Sequence, residues 1–436
     1  MVRTSPISSI KREPRIYTRA EHNISRRNIS SEALKVLYRL DNAGFRACLV
    51  GGGVRDLLLG REPKDFDIAT DALPEQVREL FRNSRLIGRR FRLAHVRFGR
   101  EVIEVATFRA APGADDGGAE TNAVGRIVRD NVYGTIDDDV WRRDFTVNAL
   151  YYDIHDFSVI DYVGGVDDLK LGEMKLIGDA ERRFREDPVR MLRAIRFASK
   201  LGFRLDAAAE TGIRDYGHLL GEISPARLFD EALKLFHGGC ALQTFEALCH
   251  HNLFAGLFGV ADESRRHQHG GFPSGLIQLA LQSTDDRIAE GKSVTPGFLI
   301  AAFLWNAFDK KREALVASGV SHHEAVEQAA DVVISRQIAQ IAIPRRFTQM
   351  TREIWTLQYR LPRLQAKRVV RMVEHPRFRA AYDFLALRAE AGEPLTELVN
   401  WWKRYQDVDE QGREAMLSEL NPGNRGRRRR PRRNRS

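Results

Sequence analysis

The chain has 436 residues, 43% hydrophobic and 29% charged, with a net charge of +10 and three cysteines. Such a length exceeds one hydrophobic core and implies roughly two to four domains of an ordinary globular kind. Cys48, Cys240 and Cys249 are too few and too scattered for a disulfide framework or a four-cysteine zinc site, and they fit a reducing cytoplasm. The uncharged run Val294–Phe308 is shorter than the ~20 residues of a membrane span and contains Pro296 and Asn306, so a buried helix is expected there. No apolar segment near the N-terminus reads as a signal peptide.

The positive charge is concentrated at the ends. Residues 421–436 hold eight arginines and no acid, residues 1–30 carry +5, and the stretch 31–420 is left at −3. Basic blocks of this kind are expected to be disordered tails that bind polyanions, including anionic lipid at a membrane surface. A merely solvated tail is the plainer alternative.

In chain order, Ser31–Asp41 reads as a helix on the spacing of Leu34, Leu37 and Leu40, with Gly44 as its stop. Ala47–Val50 is a strand that runs into Gly51, Gly52 and Gly53, and a helix is expected from Val54. Phe66–Ala69 is a second strand. Residues 73–81 form a helix with Pro74 in its first turn. Residues 91–108 alternate on either side of Gly99 as a hairpin does. Residues 111–125, rich in small and polar side chains, read as a mobile loop. Strand and turn patterns continue to Gly172, and from Asp187 to Leu417 the pattern is helical.

Three glycines between a strand and a helix leave backbone N–H groups uncovered at a helix start, which suits a phosphate. A tight turn is the structural alternative. Asp65 and Asp67 stand two apart on a strand and so share a face, while Phe66 points to the core. Paired carboxylates repel unless a cation lies between them, and Mg²⁺ is the hard ion that suits them. The Asp137/Asp139 and Asp407/Asp409 pairs have the same spacing and read as surface acids. Glu104, opposite in face to Ile103 and Val105, is the candidate third carboxylate, or else a solvent-facing strand residue. Arg142, Arg143 and Asp144 open an apolar segment. Arg190, Arg193, Arg196 and Lys200 share a broad helix face, which a solvated surface also explains. Trp401 and Tyr405 are spaced as a core stripe more than as a base-stacking platform. His250, His251, His267 and His269 lack a metal-ligand pattern, and no ligand set surrounds His155–Asp156.

Taken together, GGGVRD (51–56), DFD (65–67), RRD (142–144), DYVGGVDDL (161–169) and EDPVRMLRAIRFA (186–198) resemble the class II nucleotidyltransferases, the bacterial poly(A) polymerases and CCA-adding enzymes. The resemblance implies an α/β nucleotidyltransferase head, a small mixed sheet with helices, followed by an all-α neck and body and a disordered basic tail. Its boundaries would be a flexible extension 1–30, a head 31–172, a neck 173–240 with the nucleotide-reading helix, an RNA-binding body 241–420 and a tail 421–436. It further implies that Asp65, Asp67 and Glu104 hold Mg²⁺, or Mn²⁺ in its place, and that Asp65, Asp67 and Asp144 are the catalytic acids. Gly51, Gly52, Arg55, Arg142 and Arg143 would bind the nucleotide, with Asp187 and Arg190 reading the base.

The stretch LIGRRFRLAHV (86–96) resembles the segment that marks the poly(A) polymerases. The implied activity is therefore template-independent addition of AMP from ATP to RNA 3′ ends, by a cytoplasmic monomer working beside RNA-decay proteins. A CCA-adding tRNA nucleotidyltransferase and a non-catalytic RNA-binding protein are the alternatives.

Overall fold

Ser30 begins the first helix, its side chain accepting the Ala33 N–H, and α1 (Ser31–Asn42) then buries Ala33, Val36, Leu37 and Leu40. That is the i, i+3, i+4, i+7 stripe of a helix lying on a core. Leu34, part of the expected stripe, is only half-buried. The coordinates are a computed structural model that describes residues 13–88, 92–110, 119–121, 127–130, 132–266 and 275–420. The Arg-rich tail, residues 1–12, residues 89–91 of the marker segment, His267, His269 and most of the expected loop 111–125 lie outside the described residues.

The chain divides into two units, 1–219 and 220–436. In the first, β1 (Arg15–Tyr17), β2 (Ala47–Val50), β3 (Asp67–Thr70), β4 (Ser84–Ile87), β5 (Leu93–Phe98) and β6 (Glu101–Thr107) precede a separate pair, β7 (Ala119–Thr121) and β8 (Ile127–Asp130). Then come β9 (Leu150–Asp153) and β10 (Val159–Asp161). The main sheet runs β1-β10-β9-β2-β3-β6-β5-β4, and only β3 and β6 pair in parallel. Every residue of β2 is buried, as a central strand requires. A mixed sheet with helices matches the expected head.

Four local expectations need correction. The helix after the glycines, α2 (Gly52–Leu58), starts two residues early and takes Gly52 and Gly53 into its first turn. β3 begins at Asp67, so Asp65 precedes the strand and shares no strand face with it. Residues 13–30 are not a loose extension. β1 pairs with β10, and Tyr17, Ile24 and Ile29 are buried, because these apolar side chains outweigh the local positive charge. Within 111–125, Ala119–Thr121 is a strand.

The first unit continues through α3 (Pro74–Leu80), α4 (Ile136–Val140), α5 (Gly165–Leu171), α6 (Ala180–Glu186), α7 (Val189–Leu201) and α8 (Ala207–Tyr216). Two short strands, β11 (Glu173–Met174) and β12 (Arg204–Leu205), pair in parallel between them. The second unit is helical throughout its described residues. The uncharged run anticipated as a buried helix lies in Pro296–Ala317, which buries Leu299 to Trp305 and Phe308. Among the described residues no helix is long and apolar enough to cross a membrane. Trp401 stacks on Tyr405 with centroids 5.4 Å apart, and Trp402 is buried and donates to the Leu361 carbonyl at 3.2 Å. The aromatic cluster is therefore core.

Candidate active site

The three glycines of the turn are not alike. Gly51 has φ +69°, a conformation that costs a side chain roughly 1–2 kcal/mol. Gly53 has an ordinary φ, and an added Cβ would stand 3.4 Å from the Asp65 carbonyl, a normal contact. Gly52 has an ordinary φ, and its nearest neighbour, Arg55 Nη2, would be 3.5 Å from a Cβ. Nothing within the protein forbids a side chain at Gly52 or Gly53, so a ligand is left to explain them, Gly52 at the very start of α2 first.

Arg55 lies beneath this turn. It is 2% exposed, donates to Asp56 Oδ1 at 2.7 and 2.8 Å, and reaches Asn148 Oδ1 at 2.6 Å. It braces the turn from within rather than presenting an open guanidinium. Asn148 in turn offers its carbonyl to Arg143 Nη1 at 3.5 Å.

Strand register brings the acids together. Asp67 stands directly opposite Val50 on one side and opposite Glu104 on the other. Glu104 faces His95 in the next strand, with His95 Nε2 at 3.2 Å. Partial desolvation, then Glu104 and Asp65, push the Asp67 carboxyl up to about 6, with Arg143 pulling the other way. Among the described residues no three His, Cys, Asp or Glu side chains are already drawn together as a metal cage. The donor set nevertheless fits a hard divalent cation: carboxylate oxygens of like charge, brought together at the start of β3 and on β6.

A second group is built from arginines. Asp144 accepts from Arg193 Nε at 2.5 Å and Arg190 Nε at 3.3 Å. Burial would raise its pKa, but Arg193 and Arg190 outweigh burial and hold the carboxyl below the usual range. Arg190 also donates through Nη1 to the Arg183 carbonyl at 2.7 Å and to Glu186 at 3.0 Å, and among the described residues its Nη2 makes no hydrogen bond. Asp187 ends α6 and accepts the Val189 N–H, so Asp187 and Arg190 flank the start of α7. Burial first, then Arg109 and Arg183, push Arg142 down to about 10 while its Nη1 donates to the Ala110 carbonyl. Asp144 thus keeps company with arginines, not with Asp67 and Glu104.

Sequence reasoning missed several supporting residues. Asp139, dismissed as a surface acid, is buried and accepts from Arg143 at 2.9 and 3.1 Å and from the Tyr151 hydroxyl at 2.7 Å. Arg183 donates to the carbonyls of Arg142 and Arg143. Asp161 accepts four backbone N–H groups, from Val163 to Val166, at 2.9–3.0 Å and caps α5. A Cβ at Gly165 would stand 2.3 Å from the Thr146 carbonyl, so α5 can lie against the segment that carries Asp144 and Asn148 only with glycine there. The DYVGGVDDL motif is therefore a buttress.

The fold defines the class. A CCA-adding enzyme of Bacillus stearothermophilus solved with CTP superposes with a TM-score of 0.54 over 89% of this chain and 91% of its own, at 24% identity. A tRNA nucleotidyltransferase solved with primer tRNA and an ATP analogue gives 0.56 over 88% and 99%, at 22% identity. This is the nucleotidyltransferase fold.

Sequence comparison narrows it. The poly A polymerase head-domain family matches residues 47–175, the probable RNA and SrmB-binding site of polymerase A matches 202–263, and the arginine-rich C-terminus of polymerase A matches 318–436. Poly(A) polymerase I of Escherichia coli O6:H1 is 48% identical over 425 residues, 96% of this chain and 91% of its own. That of Haemophilus influenzae is 46% identical over 405 residues, 92% and 90% of the two chains. A CCA-adding enzyme of Lactobacillus helveticus is 42% identical but over 49% of this chain only. The chain belongs to the poly(A) polymerase I family, and so to the template-independent polynucleotide adenylyltransferases.

Proposed function

We propose that this chain extends RNA 3′ ends with AMP through an in-line attack of the 3′-hydroxyl on the α-phosphate of ATP, carried out at the Asp67 end of β3. The observation that carries this reading is the Asp67–Glu104 pair, two carboxylates placed side by side across the parallel β3–β6 pairing with Asp65 adjacent. Asp65, Asp67 and Glu104 would hold Mg²⁺, with Mn²⁺ as a substitute. Bound there, the ion would supply Lewis-acid stabilisation of charge on the reacting phosphate. The bare backbone at Gly51 and Gly52 leaves room for the triphosphate. Arg142 and Arg143 would add positive charge, Arg143 from beside Gly51, where Asp139 and Tyr151 hold it in place.

Asp144 acts in this scheme as a positioning residue that aims Arg190 and Arg193. Base choice falls to the start of α7. Arg190 Nη2 remains for a hydrogen-bond acceptor on the base, and the Asp187 carboxylate offers an acceptor for an amino group. Three scattered cysteines, one buried and two half-buried, suit the cytoplasm.

The test is primer extension of a 5′-labelled RNA with ATP alone and CTP alone, beside a tRNA lacking its CCA end. Long ladders with ATP only are expected. Additions of a few nucleotides on tRNA that need CTP would contradict the reading. Arg190→Ala is expected to narrow the preference for ATP over CTP, and an unchanged preference would remove Arg190 from base reading.

A further inference from the structure

One charged surface of the first unit takes no part in the scheme above. It forms where the loop after α2 meets the end of α7. Arg61 donates through Nη2 to the Leu201 carbonyl at 3.3 Å, which fixes the loop carrying Lys64 beside the last turn of that helix. Lys200 has Arg55, Lys64 and Arg196 as positive neighbours and Asp56 as its negative one. Asp56 Oδ1 is already held by Arg55. Neither Lys64 nor Lys200 enters an ion pair or a hydrogen bond among the described residues. The surface also holds an aromatic ring. The Phe197 ring lies 4.4 Å from the Arg196 guanidinium and 5.5 Å from those of Arg193 and Arg55, with Phe145 edge-on at 5.8 Å.

Position gives this surface its meaning. Lys64 immediately precedes Asp65, and Arg193 links Phe197 to Asp144. The cations therefore run from the carboxylate end of β3 to the helix that flanks the base-reading pair. A polyanion lying along them would have its end at Asp65 and Asp67.

We propose that Lys64, Arg196 and Lys200 bind the backbone phosphates of the last nucleotides of the RNA and so aim its 3′-hydroxyl at the carboxylates. The proposal rests on the placement of the reaction at Asp65 and Asp67. Phosphate contacts carry no sequence information. Such a grip accepts any RNA end, and it accepts the same end again after one AMP has been added. Base selection then stays with the incoming nucleotide alone.

The test compares the wild type with Lys64→Gln/Lys200→Gln and Lys64→Arg/Lys200→Arg, using a trinucleotide primer too short to need contacts elsewhere, and a long RNA. For the glutamine pair the KM for the trinucleotide is expected to rise about tenfold or more, with the KM for ATP within about twofold of wild type. The slope of log KM against log salt is expected to fall by about one for each lysine removed. The arginine pair is expected to restore both. An unchanged primer KM and salt slope in a folded variant would overturn the proposal, as would a rise confined to the KM for ATP, which would put the lysines at the triphosphate. Asp67→Asn in the same assay reports separately: if it still extends RNA, the carboxylate assignment fails whatever the lysines do.

Discussion

The two acidic positions of the head differ in how their charge is met. Asp144 lies between Arg190 and Arg193, and its neighbour Arg143 is matched by Asp139, so each of these two acids is met by opposite charge. Asp67 faces another carboxylate across the sheet, with a third just before it, and burial together with these two neighbours pushes its carboxyl up to about 6. Opposite charges placed together build structure, whereas like charges placed together store repulsion that a ligand can relieve. On the proposed reading the first group would position and the second would carry the chemistry.

The largest expected effect comes from breaking the balanced side. Asp144→Asn leaves two arginines without their shared anion. It is expected to destabilise the fold by about 2 kcal/mol, as loss of hydrogen bonds to charged groups does, and to lower kcat with little change in the KM for RNA. Because its folded carboxyl is held below the usual range, the stability Asp144 contributes is present above the unfolded pKa and lost as pH falls through the folded value. Chemical denaturation at neutral pH and at pH 3 checks this, and an equal loss at both would contradict it.

A pH profile of AMP addition at limiting Mg²⁺ sharpens the other side. Activity is expected to fall as pH drops through about 6, where Asp67 takes up a proton that competes with the cation. Added Mg²⁺ is expected to move the midpoint down. A midpoint indifferent to Mg²⁺ would separate Asp67 from the metal.

The glycine pair gives a smaller and more discriminating result. Gly51→Ala is strained whatever binds there and is expected to cost roughly 1–2 kcal/mol of stability. Gly52→Ala has room in the protein, so its melting temperature is expected to stay near wild type while the KM for ATP rises about tenfold, the worth of ~1.4 kcal/mol. An unaffected KM would leave Gly52 without a ligand.

Much of this was legible in the residues. The strand before Gly51, the hairpin about Gly99 and the alternation that turns Glu104 away from Ile103 and Val105 are local patterns. What could not be read is register. The parallel pairing of β3 with β6, which sets Glu104 against Asp67, joins strands separated by a helix and two other strands. Burial was equally hidden: the spacing of Asp137 and Asp139 does not reveal that Asp139 points inward to Arg143. Residues 13–30 misled because their charge count masks Tyr17, Ile24 and Ile29. The role of DYVGGVDDL became clear only with the Thr146 carbonyl beneath Gly165.

On the proposed reading Asp67 and its neighbours would hold a cation. Thermal unfolding of the wild type and Asp67→Asn, each with and without Mg²⁺, tests it most directly. Without the ion the variant is expected to melt higher, because the repulsion is relieved. With Mg²⁺ the wild type alone is expected to gain, since an ion that binds only the folded state stabilises it. An equal Mg²⁺ response in both proteins, or a variant that melts lower without the ion, would contradict the account.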